Sequence, residues 1–298
     1  MGYDNNLIAV LDMAHGEYCW TTNDHAGYAC GVINDLINTL KKHKPIMCLL
    51  TNLDKRYARR AELFFQKEIY NNLEFIDAYA NYVKAITVDD PIIGYISAYI
   101  FKKTALKYVL SEIKKTKKPM YAWSHLIFFL HIISTYKGKI LVYKKKLLET
   151  QIPVRKYKVF FPSEVIEVFM VNRIKSLNAL PINKRIKEAF LVFKKRNFPL
   201  VYAKALIKLI VIKDLLDKEL KNRKETEKVL ALGKYDFTLL ESVVIGFLRF
   251  IINNSILRKT AAYFLIKAVP ALRQLHENVE RYTKKELSTS IERDHHLI

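Results

Sequence analysis

Residues 5–14 read NNLIAVLDMA, 18–22 YCWTT, 31–40 GVINDLINTL and 46–50 IMCLL. The first has apolar side chains at Leu7, Ile8, Val10, Leu11 and Ala14, close to helical spacing, and Gly16 follows where a helix stops. Tyr18–Thr22 is a short run of β-prone residues. Val32, Ile33, Leu36, Ile37 and Leu40 return to helical spacing, and Ile46–Leu50, after Pro45, is a second apolar strand. Helix, strand, helix, strand predicts an α/β layered sheet.

Working outward, residues 54–90 are polar, aromatic and basic, and they read as a loop and short-helix insertion. Gly94–Phe101, Ile140–Tyr143 and Glu149–Val154 read as extended segments, Thr104–Ile113 and Trp123–Ser134 as helices. Pro119–Tyr136 holds 18 residues without a formal charge, but Ser124, His125, His131 and Ser134 lie inside it. That composition predicts a buried core helix rather than a membrane span. Beyond Pro162 the strand signal ends. Ser163–Leu177, Lys184–Lys195, Val201–Leu220, Thr238–Ile252 and Ala261–Tyr282 are apolar-periodic and predict helices, with a polar tail over Ser288–Ile298. The expected organisation is an α/β domain over residues 1–155 and a basic α-helical region over 156–298.

Composition narrows the functional classes. With 298 residues, 51% hydrophobic and 27% charged, the chain is globular in type, and only 8 Gly and 8 Pro exclude fibrous and loop-dominated architectures. Lys and Arg number 50 against 29 Asp and Glu, a net +21. Residues 1–136 carry 16 basic and 13 acidic residues, residues 137–298 carry 34 and 16, so the back half holds +18. A polyanionic neighbour is expected there, nucleic acid or an anionic membrane face. No helix-turn-helix, zinc, RNP or KH pattern accompanies the charge, so nucleic acid is not expected as a partner. Lys204, Lys208 and Lys213 recur beside Leu206, Leu209 and Ile210, and Arg249, Arg258, Lys259 and Lys267 interrupt the last apolar segments. That interleaving suits an anionic membrane surface. It also suits a plain helical subdomain with a solvated basic face. Cys19, Cys30 and Cys48 are odd in number, lack metal-site spacing, and fit a reducing cytosol. The N-terminus predicts no secretory leader.

The chemistry-bearing stretch is Ala14–Ala26. Asp24 falls just after the strand Tyr18–Thr22, and ligands of open α/β sheets bind beyond the carboxyl ends of strands. A carboxylate there suits a hard divalent ion that shares its shell with phosphates. Equally, Asp24 could cap a following helix.

Gly2-Tyr3-Asp4-Asn5-Asn6, Ala14-His15-Gly16-Glu17-Tyr18-Cys19-Trp20 and Asn23-Asp24-His25 together resemble the middle of family 2 glycosyltransferases. Within that family they look like the abequosyltransferase-like bacterial branch that acts on surface polysaccharides. Gly94–Lys103 and Tyr121-Ala122-Trp123-Ser124-His125-Leu126 continue the likeness over residues 2–155. The resemblance implies a partial GT-A (Rossmann-like) sheet and an inverting, metal-assisted transfer. The donor is a nucleotide sugar, and the acceptor is a glycan, polyprenyl-linked, at the inner face of the plasma membrane. Asp24, Asn23 and Trp20 would bind the donor, and Asp24 with His25 would hold Mg or Mn. Ser97 and Trp123 would meet the acceptor, and His125 would act as general base. Asp89 and Asp90 offer a second candidate base or a solvated turn. Two features depart from the family. No counterpart precedes the Gly-x-Asp-x-Asn helix, where relatives hold the nucleotide, and one carboxylate stands where relatives show two or three. A truncated, catalytically inactive scaffold is therefore the alternative reading, with a basic nucleic-acid-binding protein behind it.

Overall fold

The centre of the sheet is Met47–Leu50, four apolar residues with no measurable exposure. A strand buried on both faces must be apolar throughout, and MCLL meets that requirement. The computed structural model describes residues 3–22, 26–53, 55–87, 90–93, 96–116, 123–151, 162–219, 223–232, 238–270, 272–277 and 279–280. Its helices are α1 (Tyr3–Met13), α2 (Val32–His43), α3 (Lys55–Phe64), α4 (Asn72–Ala85), α5 (Lys103–Thr116), α6 (Ser124–Thr135), α7 (Pro162–Ile166), α8 (Arg173–Ser176), α9 (Lys184–Glu219), α10 (Arg223–Leu232), α11 (Leu239–Asn253) and α12 (Ser255–Ala268). Its strands are β1 (Tyr18–Trp20), β2 (Ala26–Tyr28), β3 (Met47–Leu50), β4 (Ile69–Tyr70), β5 (Tyr99–Lys102), β6 (Ile140–Tyr143) and β7 (Leu148–Gln151).

The chain is a mixed α/β protein. Five strands form one sheet in the order β1-β5-β3-β6-β4, and β2 pairs with β7 in a separate two-stranded sheet. Only β3 and β6 run parallel, while β1–β5, β3–β5 and β4–β6 are antiparallel. The described residues after Pro162 form helices and turns, as the switch to 3.6-residue periodicity predicts.

Five expectations are corrected. Residues 54–90 are not an insertion of loops, because α4 runs for 14 residues. Phe75, Ile76, Tyr79, Ala80, Tyr82 and Val83 form its buried stripe, and an Asn71–Glu74 capping box starts it. The strand expected over Gly94–Phe101 begins only at Tyr99, after a 3₁₀ turn over Ile96–Ala98. No helix begins directly after Asp24: Ala26–Tyr28 is a strand, and the next helix waits for Gly31, whose φ of 73° favours glycine. The segments expected over Lys184–Lys195 and Val201–Leu220 are one helix, Lys184–Glu219, with Pro199 inside it and buried residues on both sides at Phe193, Phe198, Val201 and Tyr202, while Leu220 lies outside the described residues. The last segment begins earlier, at Ser255, where Asn254 accepts from Leu257 N at 3.1 Å, and it breaks at Val269 before helix resumes at Pro270 and continues over the described residues up to 280. The tail Ser288–Ile298 lies outside the described residues.

Two compact units emerge. One contains Met1–Val154 and Val171–Arg196, the other Arg155–Met170 and Asn197–Ile298. Residues 171–196 join the first through specific bonds. Asn183 N donates to Ser134 Oγ at 2.9 Å, His131 Nδ1 lies 2.7 Å from Pro181 O, and Arg185 pairs with Asp77 at 2.5 Å. In the second unit Glu225, buried, accepts from Ser163 N and Ser163 Oγ, both at 2.7 Å. Arg249 donates to Tyr202 Oη at 2.9 Å.

α6 is buried from Ser124 to Ile133, as expected of a core helix. Asn72, in the first turn of α4, donates to Ile133 O at 2.8 Å and Tyr136 O at 3.0 Å, and accepts from Gly138 N at 3.0 Å. A Cβ on Gly138 would stand 2.2 Å from Ile46 Cγ2. Gly138→Ala is expected to cost about 1–3 kcal/mol in urea unfolding. Ile46→Ala should cost less in the Gly138→Ala background than in the wild type, which a double-mutant cycle would measure.

Candidate functional site

α1 is set by its two ends. At its C-terminus Lys103 donates to Ala14 O and reaches Leu11 O and Asp12 O at 3.5 Å, a cation on the negative end of the helix dipole. At its N-terminus Asp4 Oδ1 accepts from Ser124 N at 3.1 Å, which supplies α6 with a cap borrowed from 120 residues away. So placed, α1 faces the edge strand β1 across a cleft of about 630 Å³. Asn6, Leu7, Val10, Leu11 and Ala14, one face at helical spacing, make one wall, and Tyr18–Thr22 make the other. None of these ten residues carries a formal charge at neutral pH.

The strand wall is fixed from behind. Trp20 Nε1 donates to Ser97 O at 3.0 Å, and its ring meets Tyr28 edge-on at 5.3 Å. Tyr18 Oη donates to Pro45 O at 3.0 Å, and burial, with Glu17 beside it, pushes the phenol up to about 12. Burial also raises the Cys19 thiol, against the opposing charge of Lys103, so this thiol stays protonated and unreactive at neutral pH.

Of the residues expected to form the site, Trp20 lines the cleft and touches Ser97 through the Ser97 carbonyl. Ser97 is itself buried. Asn23, Asp24 and His25 lie outside the described residues, and follow in sequence on Thr22, the last described residue of the cleft wall. Trp123 and His125 do not line the cleft. Trp123 is 3% exposed, and the Arg173 guanidinium sits 4.1 Å from its ring centroid, so at least one face is closed to a sugar. His125 is 4% exposed, packed between the rings of Tyr99 at 6.2 Å and Trp123 at 5.7 Å. In that position it has the surroundings of a core histidine. Among the described residues no three of His, Cys, Asp and Glu gather closely enough to hold a metal ion.

Sequence reasoning missed a buried polar cluster behind the sheet. Tyr82 Oη donates to Asp90 Oδ1 at 2.6 Å, Ile92 N donates to the same oxygen at 3.0 Å, and Tyr99 Oη donates to Ile92 O. Asp90 is therefore no solvated turn, and Asp89 lies outside the described residues. Burial raises the phenols of Tyr79, Tyr82 and Tyr99, and burial lowers Arg173 to about 10. At neutral pH the cluster holds the Arg173 cation and protonated tyrosines. The signal lay in the spacing Ile166, Met170, Arg173, Leu177, which puts one arginine on an otherwise apolar helical stripe.

No protein-family model, curated protein or solved structure matches this chain.

Asp4→Ala strands the Ser124 N–H at the start of a buried helix. It is expected to lower stability by about 0.5–2 kcal/mol in chemical denaturation. Asp4→Asn, which keeps the acceptor oxygen, should lose less.

Proposed function

We propose that this chain is a family 2-type glycosyltransferase that moves a sugar from a nucleotide sugar to a lipid-linked glycan in surface polysaccharide synthesis. One observation carries the reading. Segments that resemble the family at scattered places in the sequence are joined in space by two hydrogen bonds, Asp4 to Ser124 N and Trp20 to Ser97 O, across 120 and 77 residues. The mixed sheet is then the second half of a GT-A fold. In this reading β1 is the strand that precedes the acidic residue, Asp24 following Trp20 by four positions in the sequence.

In this chemistry an acceptor hydroxyl attacks the anomeric carbon with inversion, its proton goes to a base, and the nucleoside diphosphate leaves. A divalent ion, Mg or Mn, when bound, offsets the charge of the departing diphosphate. The residues that would hold it are Asp24 and His25, and the imidazole favours Mn over Mg. Trp20, anchored by its indole N–H, offers a fixed ring at the cleft wall for the donor. The burial of His125 and Trp123 favours a part for both in packing α6 over a direct contact with the acceptor. The working place would be the inner face of the plasma membrane, where a polyprenyl-linked acceptor resides.

The absence of charge among the described lining residues of the cleft favours a second reading, a non-catalytic glycosyltransferase-like binding module. Titration with a nucleotide sugar in the presence of Mn separates the two. The wild type is expected to bind, and Asp24→Asn to bind at least about tenfold more weakly, the scale of losing one charge-assisted contact. Equal binding by both removes Asp24 from the site. A folded wild type that binds no nucleotide sugar favours the binding module.

A further inference from the structure

Helix α11 carries an apolar face that is exposed among the described residues. Leu240, Val243, Val244, Phe247 and Phe250 fall within an arc of about 120° at 100° per residue, and Leu240 is 76% exposed, Phe247 61%. The opposite side holds Ile245 and Ile252, which are buried. Exposed apolar residues continue on α12 at Ile256, Leu257, Tyr263 and Phe264. Soluble surfaces scatter such residues singly, whereas a run of this length marks a docking surface.

We infer that α11 and α12 dock in the plane of an anionic lipid bilayer, apolar side chains in the interface and lysines toward the headgroups. Length and angle argue for lying flat. The two segments Leu240–Asn253 and Ser255–Ala268 meet at 107°, and no single helix among the described residues is long and apolar enough to cross a membrane. At 1.5 Å per residue each spans about 21 Å, short of a hydrocarbon core of about 30 Å. The bend holds Asn253, Asn254 and Ser255. In a re-entrant loop those polar groups would sit deepest in hydrocarbon, the costliest place for them. Flat on the surface, they stay at the wet boundary.

Charge selects the bilayer over a second copy of the chain. Residues 238–269 carry Arg249, Arg258, Lys259 and Lys267 against Glu241 alone. Arg258 is turned inward, donating to Ile252 O at 2.7 Å, and Glu241 serves the Thr238 capping box, its carboxylate accepting from Thr238 N at 2.8 Å. Lys259 and Lys267 remain exposed. Lys267 lies along Tyr263, its Nζ 4.3 Å from the ring centroid, the posture of a lysine whose stem covers apolar surface while its head reaches water. Two such faces packed together would oppose like charges, but an anionic headgroup layer neutralises them. The inference stands apart from the glycosyltransferase reading and survives its failure.

The test is sedimentation of the full chain with phosphatidylcholine vesicles, with and without about a third phosphatidylglycerol, at low and high salt. The wild type is expected to bind the anionic vesicles and to keep part of that binding at high salt, because apolar insertion is not screened. Phe247→Glu with Phe250→Glu should weaken partitioning at least about tenfold. Lys259→Gln with Lys267→Gln should weaken it about thirtyfold on anionic vesicles and leave neutral vesicles unchanged. Circular dichroism of each variant must match the wild type. As a second measurement, Phe247→Trp should gain fluorescence quenched by brominated lipid beyond that of Trp20 and Trp123. Unchanged binding by the double phenylalanine variant overturns the inference. So does a wild-type dimer that binds no vesicle and dissociates on the same substitution, which would give the face to a second copy.

Discussion

A helix buried on every side has nowhere to send its unpaired backbone ends except into other protein. α6 is such a helix, and the first unit is arranged around satisfying it. Its first turn takes the Asp4 carboxylate from α1, its last turn takes the Asn72 amide from α4, and Ser134 and Thr135 fold back onto Leu130 O and His131 O at 2.6 and 2.8 Å. An unmet backbone group in such a place costs about 1–3 kcal/mol, so these bonds set where α1 and α4 must lie. The cleft follows from that placement. α1 is drawn to the start of α6 by Asp4 and held at its other end by Lys103, and the gap it leaves against β1 is the cleft.

The Arg173 cluster obeys a related logic at higher stakes. A buried guanidinium is tolerable only where aromatic faces and polar atoms replace its water. Trp123 supplies one face at 4.1 Å, Phe193 another ring at 5.4 Å, and the phenols of Tyr79 and Tyr99 favour the cation. Replacing it with lysine would not serve, because an ammonium is more strongly hydrated and lacks the planar face. The same cation covers the ring of Trp123, and His125 packs in turn against Trp123 at 5.7 Å.

Much of this fold was legible because periodicity is a local property. α1, β1, α2, β3, β6 and α6 each write their burial into spacing that a short window reveals. What stayed hidden was non-local. The buried stripe of α4 was masked by flanking Lys, Arg and Asn residues that gave its neighbourhood a loop-like composition. The length of α9 was masked by Pro199, which reads as a stop although buried residues continue on both sides of it. β2 is three residues long and exists because β7, more than 120 residues later, pairs with it. The candidate site divided the same way. Trp20 was legible from its position on β1, while the packing of Trp123 against Arg173, 50 residues further on, is non-local. Charge was legible only in bulk. Of the basic residues after 136, sixteen lie in 137–196 against four acids, whereas the exposed apolar face lies beyond them on α11 and α12.

The sheet order also decides the redox chemistry of the chain. β1 and β3 flank β5, so Cys19 and Cys48 sit two strand spacings apart, about 9.5 Å, beyond the roughly 7 Å between Cα atoms that a disulfide can bridge. Both thiols are buried and held in the protonated form by burial. Cys30 alone is exposed. Thiol oxidation therefore meets a single accessible cysteine on each molecule, and the disulfide it favours is one that links a pair of chains through Cys30, with the sheet and its cleft untouched.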